Sequence, residues 1–108
     1  MHEFVLSLEN IKKDTGLGAK DFCKSLLDYE MHPPTMYFPL IVHEALMIEP
    51  TETESKETMD KFIELLIKLK EEAYAHPENL LNAPFTTPVT RVDDTQAARH
   101  PVLTYPFD

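Results

Sequence analysis

Four glutamates close to residue 50 offer most of the acid–base chemistry in this sequence: Glu49, Glu52, Glu54 and Glu57. A carboxylate becomes a general acid or base only when burial or a neighbouring charge shifts its pKa. Glu49 meets this condition best, because it ends an apolar stretch just before Pro50, and we expect it to be partly buried and hydrogen-bonded. Alternatively, Glu49 has a structural role and fixes the corner between the strand and the helix. We expect Glu54 and Glu57 to be solvated charges at a helix start.

Metal and nucleophile chemistry have little support in the spacing of the other polar residues. Five histidines are present, but none forms an HxxxH or HxH pair and no CxxC occurs, so we expect no metal site. The single cysteine, Cys23, cannot form an internal disulfide and is expected to be a small buried hydrophobe. The sequence contains neither a GxSxG turn nor a glycine-rich phosphate loop.

The two arginines, Arg91 and Arg99, both lie near the C-terminus. A guanidinium group can clamp a carboxylate or a phosphate with two parallel hydrogen bonds. A solvated position or a place in an interface is the other interpretation of these residues. The residue types taken alone therefore indicate a module without a complete catalytic apparatus of its own.

The charge of the chain excludes several classes of partner. Its 108 residues carry a formal charge of -9, from 19 acidic and 10 basic residues, and the basic residues are scattered. Phosphate binding needs concentrated Lys and Arg, so we expect no nucleic acid partner and no membrane surface. No apolar run approaches the ~20 residues of a membrane span, and the N-terminus does not resemble a signal peptide. We therefore expect a cytoplasmic protein of one small domain.

The N-terminal part of the sequence predicts a strand followed by a helix. Residues Glu3–Leu8 alternate as a strand does, and the apolar positions of Ala19–Tyr29 repeat as on one face of a helix. The polar connection between them contains both glycines and has room for one short helical turn. The prolines that follow His32 are expected to end the helix.

Two strand candidates follow, Met36–Val42 and Ala45–Glu49, separated by His43 and Glu44. A tight two-residue turn usually contains Gly or Asn, so a bulge or a wider turn is equally compatible with this spacing. Pro39 cannot donate a ladder hydrogen bond, which indicates that the first strand lies at an edge or contains a bulge. The apolar run ALMI predicts that the second strand is covered on both faces.

The C-terminal part predicts one long amphipathic helix and then an extended arm. Ser55 or Thr53 is expected to cap the helix, His76-Pro77 to end it, and PENLLN to add one turn. Residues 84–108 contain four prolines and no glycine, with a short helix expected at Asp94–Arg99. Their spaced apolar residues favour an arm that lies along a larger body. The expected apolar face of the long helix consists of Met59, Phe62, Ile63, Leu66, Leu69 and Ala73.

The order of these elements predicts an α+β fold, with a small, mainly antiparallel sheet packed with helices. Residues 1–83 are expected to form the α+β domain. Residues 84–108 are expected to be a proline-rich extended arm of the same domain.

Two long motifs give the sequence a resemblance to a known family. The segments LLDYEMHPPT, residues 26–35, and MIEPTETESKETMDKF, residues 47–62, are similar to the C-terminal part of glycine dehydrogenase (decarboxylating). This is the P-protein of the glycine cleavage system, and the similarity is to subunit 2 of its two-subunit form. The similarity extends upstream through HEFVLSL and downstream through NAPFTTPV and AARHPVL, so that it covers nearly the whole chain.

The resemblance implies a function that composition could not show. Proteins of this family resemble fold-type I pyridoxal phosphate enzymes, in which a small C-terminal α+β domain closes over a site built mainly by a large domain. They decarboxylate glycine and pass the aminomethyl group to the lipoyl arm of the H-protein. The implied partners are subunit 1, the large domain of subunit 2, lipoylated H-protein and the substrate glycine. The implied cofactor is pyridoxal phosphate, which acts as the electron sink.

The resemblance also implies that this chain holds only part of such an enzyme. No segment resembles the motif that carries the Schiff-base lysine, so we expect no catalytic and no cofactor-binding residue here. The chain alone is then expected to be inactive, a domain fragment in which Met1 is an engineered or misassigned start. The alternative hypothesis, from another class of function, is a stand-alone, non-catalytic module that binds glycine-cleavage proteins.

Several positions are expected to face the cofactor cleft or a partner subunit. Three others depart from the family pattern: Glu30 and Met31 stand where the family usually has glycine and phenylalanine, and Phe85 stands where it commonly has histidine. If the backbone at residue 30 has a positive φ, glutamate is strained there by about 1 kcal/mol. The positions expected to face the cleft or the partner are His32, Thr35, Glu49, Thr51, Glu52 and Arg91.

Overall fold

The computed structural model describes residues 2–107 and has a three-stranded antiparallel sheet with helices packed against it, which confirms the α+β fold. Met1, the expected artificial start, and Asp108, the last residue of the arm, lie outside the described residues. Within the described part, none of the helices combines the length and the apolar character that a membrane crossing requires. The elements are β1 Phe4–Ser7, α1 Glu9–Thr15, α2 Ala19–Leu27, β2 Thr35–Met36, β3 Ala45–Ile48, α3 Lys56–Ala75, α4 Pro77–Leu81 and α5 Asp94–Arg99.

The sheet has the order β1-β3-β2, and both pairs are antiparallel. Phe4 pairs with Ile48 at one end of the β1–β3 ladder, and Thr35 pairs with Met47 in the β2–β3 ladder. The central strand β3 is largely buried, which confirms that the run ALMI is covered on both faces. β2 lies at one edge of the sheet.

The expected strand Met36–Val42 is wrong, because β2 contains only Thr35 and Met36. The next residue, Tyr37, has φ 62°, which turns the backbone out of extended geometry, and Pro39 has no N–H to donate to a ladder. The chain therefore reaches β3 through a loop of residues 37–44, the wider of the expected connections. Leu40 and Ile41 of this loop are 85% and 91% exposed.

The core lies between the sheet and two helices, α2 and α3. α2 buries Phe22, Cys23 and Leu26, as its spacing predicted. α3 buries Leu65, Leu69 and Ala73, whose spacing of four residues places them in one row along the helix. The expected apolar face was therefore wrong at two positions, because it included Ile63, which is exposed, and left out Leu65, which is buried. At 100° per residue, Ile63 lies roughly 120° around the helix axis from Leu69.

The helix starts follow from local capping chemistry. Ser55 Oγ accepts a hydrogen bond from Thr58 N at 3.1 Å and caps α3, one of the two caps predicted. At the start of α2, Ala19 N donates to Glu44 Oε2 at 2.7 Å. A Cβ on Gly18 would lie 2.3 Å from the same Glu44 oxygen, so only glycine allows this carboxylate to reach the helix start. Glu44 thereby connects the loop before β3 to α2.

The first part of the arm runs along α2 in the opposite direction. Asp28, which follows the C-terminal end of α2, accepts hydrogen bonds from Phe85 N and Thr86 N, both at 2.8 Å. At the other end of the helix, Lys20 forms an ion pair with Asp94. Apart from α5, residues 84–107 contain neither helix nor strand.

Candidate functional site

A groove with a volume of about 420 Å³ opens at one end of the sheet. β1 and β2 both run antiparallel to β3, so their first residues, Phe4 and Thr35, meet beside Ile48, the last residue of β3. The N-terminal turns of α3 close another side through Thr58 and Met59. The groove therefore exists because of the sheet topology and the turn from β3 into α3. The apolar side chains that line it include Phe4, Met31, Met47, Met59, Phe62 and Ile63.

Three of the predicted site residues line this groove: His32, Thr35 and Glu49. They come from the segment after α2, from the first position of β2 and from the residue after β3. Thr51 and Glu52 do not line the groove themselves. They are exposed and lie in sequence between Pro50 and Glu54, which both do. The hydroxyls of Thr51 and Thr53 are hydrogen-bonded to each other at 2.7 Å.

The expected partial burial of Glu49 is wrong. Its side chain is exposed, because the buried part of β3 ends one residue earlier, at Ile48. The carboxylate of Glu49 is thus a solvent-exposed charge in a groove that is lined mostly by apolar side chains. Glu54 lines the same groove and is also exposed.

Arg91 lies apart from the groove and holds the arm against the helices. Its Nη1 donates to Asp21 Oδ1 at 2.7 Å, its Nε to the carbonyl of Ala83 at 2.7 Å, and its Nη2 to the carbonyl of Leu80 at 2.8 Å. None of these partners lines the groove. The guanidinium therefore contacts one carboxylate oxygen and two backbone carbonyls, and does not form the two parallel bonds of a carboxylate clamp.

Asp28 is an anchor that sequence reasoning missed. Burial alone would raise the pKa of this carboxyl, but hydrogen bonds from the backbone of Thr86 and Phe85 and from the Thr86 hydroxyl more than offset burial and hold the pKa below its ordinary value. The sequence did contain one signal of this role. The helix dipole disfavours an aspartate at the C-terminal end of a helix, so such a residue needs hydrogen-bond donors nearby.

Cys23 is buried, as predicted. Burial raises the pKa of its thiol to about 11, against a smaller opposing effect of Lys24. Such a thiol is a poor nucleophile near neutral pH. Within residues 2–107, no group of three or more His, Cys, Asp and Glu side chains is arranged to hold a metal ion.

Comparisons with known proteins extend the sequence resemblance. The family described as "Glycine dehydrogenase, C-terminal domain" matches residues 1–84. A probable glycine dehydrogenase (decarboxylating) subunit 2 from Treponema denticola is 65% identical over 105 residues, which are 97% of this chain and 22% of that protein. The protein of the same name from Thermosipho africanus is 57% identical over 108 residues, 100% of this chain and 22% of that protein.

A third relative gives the same result. The probable glycine dehydrogenase (decarboxylating) subunit 2 from Thermococcus kodakarensis is 59% identical over 104 residues, 96% of this chain and 21% of that protein. The chain thus spans about a fifth of the length of the curated relatives it matches. Family match, identity and coverage agree, and the chain belongs to the glycine dehydrogenase C-terminal domain family.

Proposed function

We propose that this chain is the C-terminal domain of subunit 2 of a pyridoxal phosphate-dependent glycine decarboxylase. That enzyme would decarboxylate glycine in the cytoplasm and pass the aminomethyl group to the lipoyl arm of an H-protein. The observation that carries the proposal is the 65% identity, over 97% of this chain, to a relative named probable glycine dehydrogenase (decarboxylating) subunit 2. Subunit 1 and the large domain of subunit 2 are the partners in this proposal, and the chain alone is inactive.

In this proposal residues 1–83 form the small α+β domain and residues 84–108 form its arm. His32, Thr35 and Glu49 face the cofactor cleft or a partner subunit, with Thr51 and Glu52 beside them. Support comes from the groove, which collects the first three residues at one end of the sheet. Arg91 lies outside this groove and fixes the start of the arm through its three hydrogen bonds.

The groove does not fit pyridoxal phosphate by its own residues. Its described lining includes His32, Glu49 and Glu54, but neither lysine nor arginine. A phosphate group needs cations or clustered N–H donors, and a Schiff base needs a lysine amine. Exposed carboxylates would instead repel the phosphate. We therefore assign the contacts to phosphate and Schiff base to the large domain.

The proposal is tested on the native protein of the source organism, captured with an antibody raised against this chain. With pyridoxal phosphate and lipoylated H-protein present, the captured material should release labelled CO2 from glycine labelled in its carboxyl group. The 108-residue chain, assayed in parallel, should release none. Captured material that carries this sequence but never decarboxylates glycine would contradict the proposal.

A non-catalytic interaction module is the second candidate function. It is favoured by the exposed apolar side chains of the loop 37–44 and of the arm, since large uncovered apolar surface often marks a protein contact. This candidate predicts saturable binding of the free chain to an H-protein or to subunit 1. Titration calorimetry with each of the two proteins measures that binding. If neither the H-protein nor subunit 1 gives a heat of binding, this candidate is excluded.

A further inference from the structure

The first part of the arm forms one wall of a recess that is separate from the groove. This recess has a volume of about 320 Å³ and lies between α2, α3 and α4. Ser25, Glu72 and Asn79 line it from these helices, and Phe85 and Thr86 line it from the arm. The position of the arm therefore decides whether this recess is complete.

Little apolar burial holds the arm in this position. Pro84, its first residue, is fully buried, but none of the residues 85–107 is buried. In contrast, Phe22 and Leu26 of α2 are 1% and 0% exposed. Burial of apolar side chains is the main favourable contribution to folding, so a segment without it opens at a lower free energy than the core does. The arm beyond Pro84 is such a segment.

The contact at the edge of the recess is made by Asp28, the residue after α2. Its Oδ1 accepts from Thr86 N at 2.8 Å and from the Thr86 hydroxyl at 2.9 Å. Phe85 N donates to Oδ1 at 2.8 Å and to Oδ2 at 2.9 Å. Hydrogen bonds to an ionised acceptor are roughly twice as strong as neutral ones. A single carboxylate therefore supplies much of the hold on two consecutive residues of the arm.

The two contacts farther along the arm are ion pairs with the start of α2. Lys20 pairs with Asp94, whose side chain is 61% exposed, so solvent screens this pair and it contributes little. Arg91 Nη1 lies 2.7 Å from Asp21 Oδ1 in a more buried pair. Movement of the arm away from α2 breaks both pairs together with the hydrogen bonds of Asp28.

From these observations we propose that the arm detaches from α2 as one unit, from Phe85 onward, while the core stays folded. Asp28 is the residue that controls this opening. Pro84 remains in the core and is the point about which the arm moves, and the recess loses the wall formed by Phe85 and Thr86. This inference concerns contacts within the chain. It goes beyond the proposed function and does not depend on glycine chemistry.

Limited digestion of the 108-residue chain with trypsin, followed by mass spectrometry, tests the opening. Trypsin cuts after Arg91 only when this side chain has left Asp21. The rate of this cut therefore reports the population of the open arm, provided that the arm opens and closes faster than trypsin cuts. The cut after Lys24, inside α2, reports unfolding of the core. We expect the cut after Arg91 to be at least about tenfold faster than the cut after Lys24.

A substitution in the core separates opening of the arm from unfolding of the whole chain. Ile48→Val removes one methylene from the buried end of β3 and destabilises the closed and the open form equally. It should accelerate the cut after Lys24 by roughly three- to tenfold and leave the cut after Arg91 unchanged.

Substitutions at the recess test the role of Asp28. Asp28→Asn replaces the charged acceptor by a neutral one and should accelerate the cut after Arg91 by about tenfold. The matched control, Glu72→Gln, removes the other carboxylate that lines the recess and should leave this rate unchanged. Thr86→Val removes one donor from the exposed arm and should act in the same direction as Asp28→Asn, by a smaller factor. Circular dichroism checks that each variant is folded.

Three results would overturn the inference. The first is a cut after Arg91 that accelerates with Ile48→Val as much as the cut after Lys24 does, because the arm would then open only when the core unfolds. The second is an unchanged cut after Arg91 in both Asp28→Asn and Thr86→Val. The third is equal acceleration by Glu72→Gln.

Discussion

At the scale of single residues, Glu30 occupies the left-handed position that ends α2. Its φ is 57°, and its N–H donates to Leu27 O while Met31 N–H donates to Leu26 O, both at 3.2 Å. These are the two bonds of a Schellman motif, whose left-handed residue is usually glycine. The backbone at residue 30 therefore has the positive φ on which the expected strain depends. A glutamate at this angle lowers the free energy of unfolding by about 1 kcal/mol.

Replacing this residue by glycine should stabilise the protein. We expect Glu30→Gly to raise the free energy of unfolding by up to about 0.5 kcal/mol, since relief of about 1 kcal/mol of strain exceeds the extra chain entropy of glycine. Urea denaturation measures the change. Glu30→Ala removes the same charge at the same φ and serves as the control, with little or no gain. A less stable glycine variant would show that the strain is absent.

Cys23 should resist thiol reagents as long as the protein is folded. Burial raises its pKa to about 11, so at pH 8 roughly one thiol in a thousand is ionised, and the sulfur is also inaccessible. A colorimetric thiol assay should therefore detect almost no reaction in buffer and one thiol per chain in denaturant. Rapid reaction in buffer would mean that α2 opens or packs differently.

At this scale, some features could be predicted from the sequence and others could not. Burial of Cys23 followed from helical spacing, and strain at Glu30 followed from the family pattern. The role of Asp28 did not follow, since its donors lie at Phe85 and Thr86, far along the chain. Glu49 was expected to be partly buried because it ends an apolar strand, but the sheet stops covering the chain one residue before it.

At the scale of elements, α2 is the helix to which the arm is fastened. Lys20 and Asp21 near its start hold Asp94 and Arg91, and Asp28 just past its end holds the backbone at residues 85 and 86. The sequence indicated an arm on a larger body. It could not indicate which helix the arm follows, because every one of these contacts joins residues more than fifty positions apart.

Loss of the Arg91 side chain should loosen the arm. Arg91→Gln removes a half-buried ion pair and two hydrogen bonds to carbonyls, and we expect it to cost about 1 to 3 kcal/mol of unfolding free energy. Arg99→Gln removes the same charge from an exposed position and should change stability by less than about 0.5 kcal/mol. Urea denaturation at low protein concentration measures both variants. Equal effects would contradict the anchoring role of Arg91.

The Asp28 anchor should make stability depend on acid pH. Hydrogen bonding lowers its folded pKa below the unfolded value near 3.8, so its contribution is fully present above that value. The contribution is lost as the pH falls through the lowered pKa. Unfolding free energies measured from pH 6 downward should therefore fall more steeply in the wild type than in Asp28→Asn. Identical slopes would show that Asp28 is not hydrogen-bonded as described.

Helices were predicted better than strands. Ser55, His76-Pro77 and the spacing of Asp94–Arg99 are local signals, and the helix ends that they predicted are confirmed. The strand Met36–Val42 has equally strong apolar character, but the positive φ of Tyr37 ends it after Met36. This angle has no local signal, because tyrosine does not favour it.

At the scale of the whole molecule, the groove depends on long-range pairing. Residues from β1, β2 and β3 meet there only because both ladders are antiparallel. Composition and periodicity could predict a small α+β domain, but only the family resemblance pointed to His32, Thr35 and Glu49 as members of one surface. The groove collects these three and leaves Arg91 elsewhere.

The central claim is that these 108 residues work as one domain of a longer glycine decarboxylase subunit. The most direct measurement is the size of the native polypeptide in the source organism, by immunoblot with an antibody against this chain. The account predicts a band several times larger than 12.5 kDa, since the chain spans 22% of relatives that carry the subunit 2 name. A native band at 12.5 kDa would contradict it and favour the stand-alone interaction module.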